Sequence, residues 1–332
     1  MRRPLLAVLI FLALGPVPGT RHRFPVDDFR QTAAARPLVF PPATAGSLRF
    51  VRGWRLTSPH SLFGGFSGLA HLGEGRFLLV GDNGYATRLT LAEGGTVSEV
   101  AIRRLPLPPR NPGSKAFTDV EAVSVDAASG KVWVALEGID QIWRLNPELT
   151  RIESRNRSPQ LEPWPTNRGA EAMARLADGR TIVFSEEADD DARGTEALVF
   201  AGDPATPGKR ALRFFYDAQG KGLVSDAAPL PDGRILLVHR KLGIAPLFTT
   251  ILAIVDPADI REDGVVRSVA IGRVPEPLRE NYEGAAVSVA GGRTFLWLVA
   301  DDNFNNWQRS LLLQFELVDL PPRRADSKKA AR

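Results

Sequence analysis

The 332-residue sequence contains no cysteine, which removes disulfide scaffolds, thiolate zinc sites, iron–sulfur ligation and cysteine nucleophiles together. Histidine is scarce, at four residues, so any metal must rest mainly on oxygen ligands. Long apolar runs are missing too. The stretch from Leu5 to Leu14 falls well short of the ~20 residues that a membrane-spanning helix needs, and no comparable run follows. A one-signed charge field is also lacking, although the formal net charge is +4. Arg2 and Arg3 carry two of those charges at the start, and the last twelve residues carry a net four, which leaves the body between at −2. A body of that charge does not attract a phosphate backbone, and no interleaved basic and aromatic run supplies local attraction. Nucleic acid is therefore not an expected partner.

What is present fits an ordinary globular chain: 44% hydrophobic and 24% charged residues. Residues 1–19 combine a basic start, the apolar stretch and the small, turn-prone run Gly15-Pro16-Val17-Pro18-Gly19. This is the layout of an export signal, with cleavage near Gly19 and a periplasmic or secreted mature protein without a membrane span. Residues 20–46 read as a lead-in segment, 47–320 as one domain, and 321–332 as a disordered basic tail.

One unit recurs five times, and each copy has an acidic or polar start, a Gly-containing turn, an apolar run and a polar end. The first is Phe66-Ser67-Gly68-Leu69-Ala70, a turn at Gly73-Glu74-Gly75, and a run to Asp82-Asn83. The second goes from Asp119-Val120-Glu121-Ala122 to Glu137, and the third from Gly169-Ala170-Glu171-Ala172 to Glu186-Glu187. The fourth goes from Ser225-Asp226 to His239-Arg240-Lys241, and the fifth from Asn281-Tyr282-Glu283-Gly284 to Asp301-Asp302-Asn303. Taking Ser67, Glu121, Glu171, Asp226 and Glu283 as equivalent gives a spacing of roughly fifty residues, enough for four short strands. The expected fold is all-β, a β-propeller of four-stranded blades. Five repeats are counted, with six blades possible if one repeat has decayed. The strand-like Leu48 to Leu56 is expected to join the last blade and close the ring.

In a hairpin the start of the first strand and the end of the second lie together. The acids should therefore gather at one mouth of the propeller. Glu121, Glu137, Glu171, Glu186, Asp226, Glu283 and Asp301 are the candidate metal ligands, and Glu171, Glu283 and Glu121 are the candidate catalytic acids. Crowded carboxylates need proton uptake, pairing to Arg or Lys, or a bound hard cation. Ca²⁺ suits such a donor set better than Mg²⁺ or zinc. His239, Arg240 and Lys241 break the acidic pattern, and with Asp82 and Asn83 they are expected to hold a small anionic or ester substrate. An alternative is that the three cationic residues only balance the ring. The polar and aromatic stretch from Asp301 to Arg309 reads as a loop over the mouth.

The motifs Asp119-Val120-Glu121-Ala122, Asn167-Arg168-Gly169-Ala170-Glu171-Ala172 and Asn281-Tyr282-Glu283-Gly284-Ala285 resemble the bacterial family named for esterase-like activity of phytase. The resemblance runs from about Gly46 to Leu317. It implies an exported phytase-like propeller hydrolysing esters or phosphate esters; separately, a monomer is expected. Other hydrolase signatures fail. Gly65-Phe66-Ser67-Gly68-Leu69 has Leu where a nucleophile elbow needs its last Gly. No Gly follows His22 in Thr20-Arg21-His22-Arg23 as the histidine acid phosphatases require, and no phosphate-binding loop ends in Lys-Ser/Thr. His60 and His71 have no partner by sequence. A non-catalytic periplasmic binding propeller and a sugar-lactone hydrolase are the competing expectations.

Overall fold

The computed structural model describes residues 27–108, 118–165, 169–186 and 191–323. Residues 1–19, read above as an export signal, most of the basic C-terminal segment, Asn167, Arg168 and Glu187 lie outside the described residues. Among the described residues no helix is long and apolar enough to cross a membrane.

Five antiparallel sheets surround one axis, so the alternative of six blades does not hold. Their innermost strands are Phe66–His71, Val120–Val125, Ala170–Arg175, Leu223–Pro229 and Asn281–Ala290. Each packs against the next, and the fifth against the first. Blades one, two and four have four strands. Blade three gains Val265–Arg267 as a parallel outer strand. Blade five is closed as expected: Leu48–Thr57 pairs with Leu311–Leu317 from the other end of the chain. The lead-in segment also takes part, because Ala34–Pro37 pairs with Leu48–Thr57 as a further outer strand.

The second strand of every blade is apolar on both faces, and the ring geometry explains why. Side chains alternate across a strand, and each face of a blade meets a neighbouring blade. Phe77 and Leu79 enter the core between blades five and one, while Leu78 and Val80 enter the core between blades one and two. Trp133 and Ala135 likewise divide from Val132, Val134 and Leu136. Five such cores fill the five interfaces. Each fully buried Val, Leu, Ile or Phe contributes roughly 1.5–3 kcal/mol of burial free energy.

Arg323, near the chain's C-terminal end, is held to blade four. Arg323 grips Asp256 with two hydrogen bonds at 3.0 and 3.1 Å and donates to the carbonyl of Asp232 at 2.9 Å, which fastens the end of blade five to blade four.

Candidate functional site

A β-bulge interrupts every innermost strand at the same place. Pairing with the second strand slips between Phe66 and Gly68, Val120 and Ala122, Ala170 and Ala172, Val224 and Asp226, and Tyr282 and Gly284. The extra residues are Ser67, Glu121, Glu171, Ser225 and Glu283. A bulge sets two residues opposite one and re-aims the side chain it carries. The fourth repeat is therefore out of register by one with the sequence reading: Ser225, not Asp226, is the equivalent residue.

That slip decides the fate of Asp226. Its carboxylate is buried, accepting from the N–H of Ala227 at 2.7 Å and of Ala285 at 2.6 Å, which places it in the interface of blades four and five. Burial raises its pKa well above the usual range, and no other carboxylate contributes to that rise. The two bulge serines instead tie blades together. Ser67 Oγ donates to the carbonyl of Val120, and Ser225 Oγ donates to that of Tyr282 at 3.0 Å. Each serine thus holds the peptide just before a bulge glutamate of the next blade.

Two further positions complete the frame. The residue two before each bulge is Gly65, Asp119, Gly169, Leu223 or Asn281. Its cross-strand partner at the exit of the second strand is Asp82, Glu137, Glu186, Arg240 or Asp301. Four exits are acidic and one is basic. The acids sense one another across blades: Glu121 is perturbed by Glu171, Glu283, Asp119 and Asp82, and Glu171 by Glu186, Glu137 and Glu283. Asp301 is perturbed by Glu283 and Asp82. Among the described residues, eight carboxylates and one guanidinium therefore share the mouth. Two like charges about 4 Å apart repel by roughly 1 kcal/mol in water and about 4 kcal/mol at an effective dielectric near 20.

The consequences appear in the titration of the acids. Burial first, and neighbouring acids second, raise the pKa of Glu121, Glu171 and Asp301 well above the carboxylate range. Burial lifts Glu137 to about 8, although the N–H of Gly169 stabilises its charged form from 2.7 Å. Glu283 is raised by burial against the attraction of Arg240. Among the described residues neither Glu121 nor Glu171 accepts a hydrogen bond.

Asp119, Glu121 and Glu137 offer ligand oxygens that all lie within 4.8 Å of one another. That is the span across a calcium ion with ligands at about 2.3–2.6 Å, so the donor set fits a hard cation. Asp119 is not among the candidate residues of the sequence reading, and the signal for it was the second acid of Asp119-Val120-Glu121: it stands immediately before the innermost strand Val120–Val125, two residues ahead of the bulge residue Glu121.

The remaining expected residues separate. Arg240 does reach the mouth, donating to Glu186 at 2.7 Å, to Glu283, and to Asn281 at 3.2 Å. Burial works against its charge, but Glu283, Glu186 and Glu171 outweigh that and raise its pKa. Lys241 is exposed on the strand beyond it. His239 departs from expectation: it is fully buried between blades three and four, 2.8 Å from Tyr216 Oη and 3.2 Å from the carbonyl of Gly222, out of a substrate's reach. Burial lowers its pKa to about 4. Asn83 is spent on its turn, accepting from Tyr85 N–H at 3.0 Å and donating to the carbonyl of Leu62 at 3.3 Å. The loop after Asp301 packs down onto blade one. Asp302 is fully buried and accepts from Gly65 N–H at 3.2 Å and Ser310 Oγ at 2.6 Å.

Fold and site together define a five-bladed β-propeller with an acid-lined axial mouth. The chain belongs to the phytase-like family described as esterase-like activity of phytase, whose profile matches residues 61–304. No curated protein sequence matches it. Among solved structures it is similar to the hydrazine synthase of Kuenenia stuttgartiensis, at 10% identity and TM-score 0.39, covering 72% of this chain and 57% of that one. It is also similar to a luciferin-regenerating enzyme, at 12% identity and TM-score 0.44, with 82% and 84% covered. An exo-1,5-alpha-L-arabinanase from a bovine ruminal metagenomic library gives 12% identity and TM-score 0.44, with 76% and 92% covered.

Proposed function

We propose that this protein is an exported, metal-assisted hydrolase that acts on an ester or phosphate ester at the acid-lined mouth. The observation that carries this reading is the gathering of Asp119, Glu121 and Glu137 to the span of one cation, inside a mouth where, among the described residues, eight carboxylates face a single guanidinium. Membership of the phytase-like family supports hydrolysis as the reaction class. The basic and apolar start of the chain supports export.

A divalent cation held by Asp119, Glu121 and Glu137, calcium ahead of magnesium, would act as a Lewis acid on the ester oxygen. Glu171 is the general base: it accepts no hydrogen bond from another described residue, and burial and the neighbouring acids raise its proton affinity above that of an ordinary carboxylate. Asp82, Glu186 and Asp301 complete the negative wall that retains the cation. Lys241, exposed beyond Arg240, meets the anionic group of the substrate.

Turnover of an aryl ester and an aryl phosphate by the full chain, stripped with chelator and then resupplied with calcium or magnesium, tests this. Activity on either that disappears with chelation and returns with calcium supports the reading. Activity indifferent to chelation removes the cation but leaves a hydrolase. No turnover with any metal leaves a propeller that only binds its ligand.

A further inference from the structure

Blades two and five present the same frame with different charge. In blade two the three positions hold Asp119, Glu121 and Glu137, and in blade five they hold Asn281, Glu283 and Asp301. The first set brings its ligand oxygens within 4.8 Å of one another, the span of one cation. The second is already filled. Asn281 Nδ2 donates to Glu283 Oε1 at 2.8 Å and to Asp301 Oδ2 at 3.3 Å. Arg240 enters from blade four and collects Glu283 and Asn281 Oδ1 from blade five and Glu186 from blade three.

A hard cation binds by collecting oxygen atoms around one positive centre, and the guanidinium does the same with oxygens of blades three and five. The guanidinium also leaves its buried Nε–H without an acceptor among the described residues, so its donors are not saturated. This side chain is placed for its charge. It stands at the exit position, which holds an acid in the other four blades, so its presence both removes a carboxylate and adds a cation.

We infer that Arg240 is a tethered cation in the place a second metal ion would occupy, so that the mouth holds one exchangeable ion beside blade two and one permanent charge beside blade five. The inference rests on the proposed cation site of blade two. It makes Arg240 a residue that sets metal stoichiometry rather than a grip for substrate.

Calcium binding to the chelator-stripped full chain, measured by titration calorimetry and by metal counting after gel filtration, tests it. The wild type and Arg240→Lys should bind one ion, and Arg240→Gln should bind two. Adding Asn281→Asp to Arg240→Gln should tighten the second ion at least tenfold, and adding Glu283→Gln should abolish it. A purely structural role for Arg240 would change stability but leave the count alone. If Arg240→Gln folds only when calcium is supplied and then carries two ions, the inference holds. If it carries the same number of ions as the wild type, or no cation restores its fold, the inference is overturned. A wild type that binds no ion defeats the blade-two site by itself, whereas the Arg240 inference is read on the difference between variant and wild type.

Discussion

The carboxylate of Asp226 accepts the backbone N–H of Ala285 at 2.6 Å, so a side chain of blade four caps a peptide of blade five. Both partners are buried. Removing the acceptor strands a buried donor, which costs roughly 1–3 kcal/mol. Asp226→Ala should therefore lower the midpoint of urea unfolding, while Asp226→Asn, which keeps one acceptor oxygen but sets an amide NH2 against the other N–H, should recover only part of the loss. Equal loss in both variants would contradict this placement.

How much of this was readable beforehand depends on what a bulge does to a pattern. The five repeats, the four-strand blades and the closing strand from Leu48 were legible, because apolar runs and glycine turns recur at near-constant spacing. The register of the fourth repeat was not. An extra residue shifts every later side chain to the other face, and Asp226 resembled the glutamates more closely than its neighbour Ser225 did. His239 and Arg240 sit side by side, so one must turn into the interface and the other toward the axis. Strand alternation predicts that split but not which residue goes where.

Substitutions in the acid ring should have opposite signs. Glu121→Gln removes a half-buried carboxyl group that its neighbours repel once it ionises, so the chelated protein should gain about 1 kcal/mol at alkaline pH, while cation affinity and turnover collapse. Glu283→Gln replaces one of the two carboxylates that accept from Arg240 and leaves Glu186 as the other, so stability should fall by about 1–3 kcal/mol. Thermal melts in chelator, paired with calcium titration, check both. Two shifts of the same sign would contradict the assignment.

The acids also set a pH dependence. A carboxyl group whose folded pKa is raised stabilises the fold fully below its unfolded pKa, and that contribution is lost as pH rises through the folded value. With Glu137 raised to about 8 and Glu121, Glu171 and Asp301 raised as well, the chelated protein should lose stability steadily from about pH 5 to about pH 8. Calcium should restore stability more at the alkaline end than at the acid end. Melting temperatures in chelator that are flat or rising across this window would be inconsistent with a crowded acidic mouth.

Gly65 links the loop of blade five to the first exit position. It has φ of +60°, and a Cβ there would stand 2.3 Å from Phe304 Cε2 and 2.8 Å from Asp82 Oδ1. Gly65→Ala carries a backbone cost of roughly 1–2 kcal/mol and should also displace Asp82, lowering turnover at least tenfold while circular dichroism stays unchanged. Turnover equal to wild type would show that this corner lies outside the working mouth.

The most direct measurement is anomalous diffraction from crystals soaked in terbium as a calcium substitute. The predicted result is one peak at the axial mouth, about 2.3–2.6 Å from carboxylate oxygens of Asp119, Glu121 and Glu137, and absent from Glu121→Gln crystals. A mouth free of anomalous density, or a peak that persists unchanged in the Glu121→Gln crystals, would contradict it.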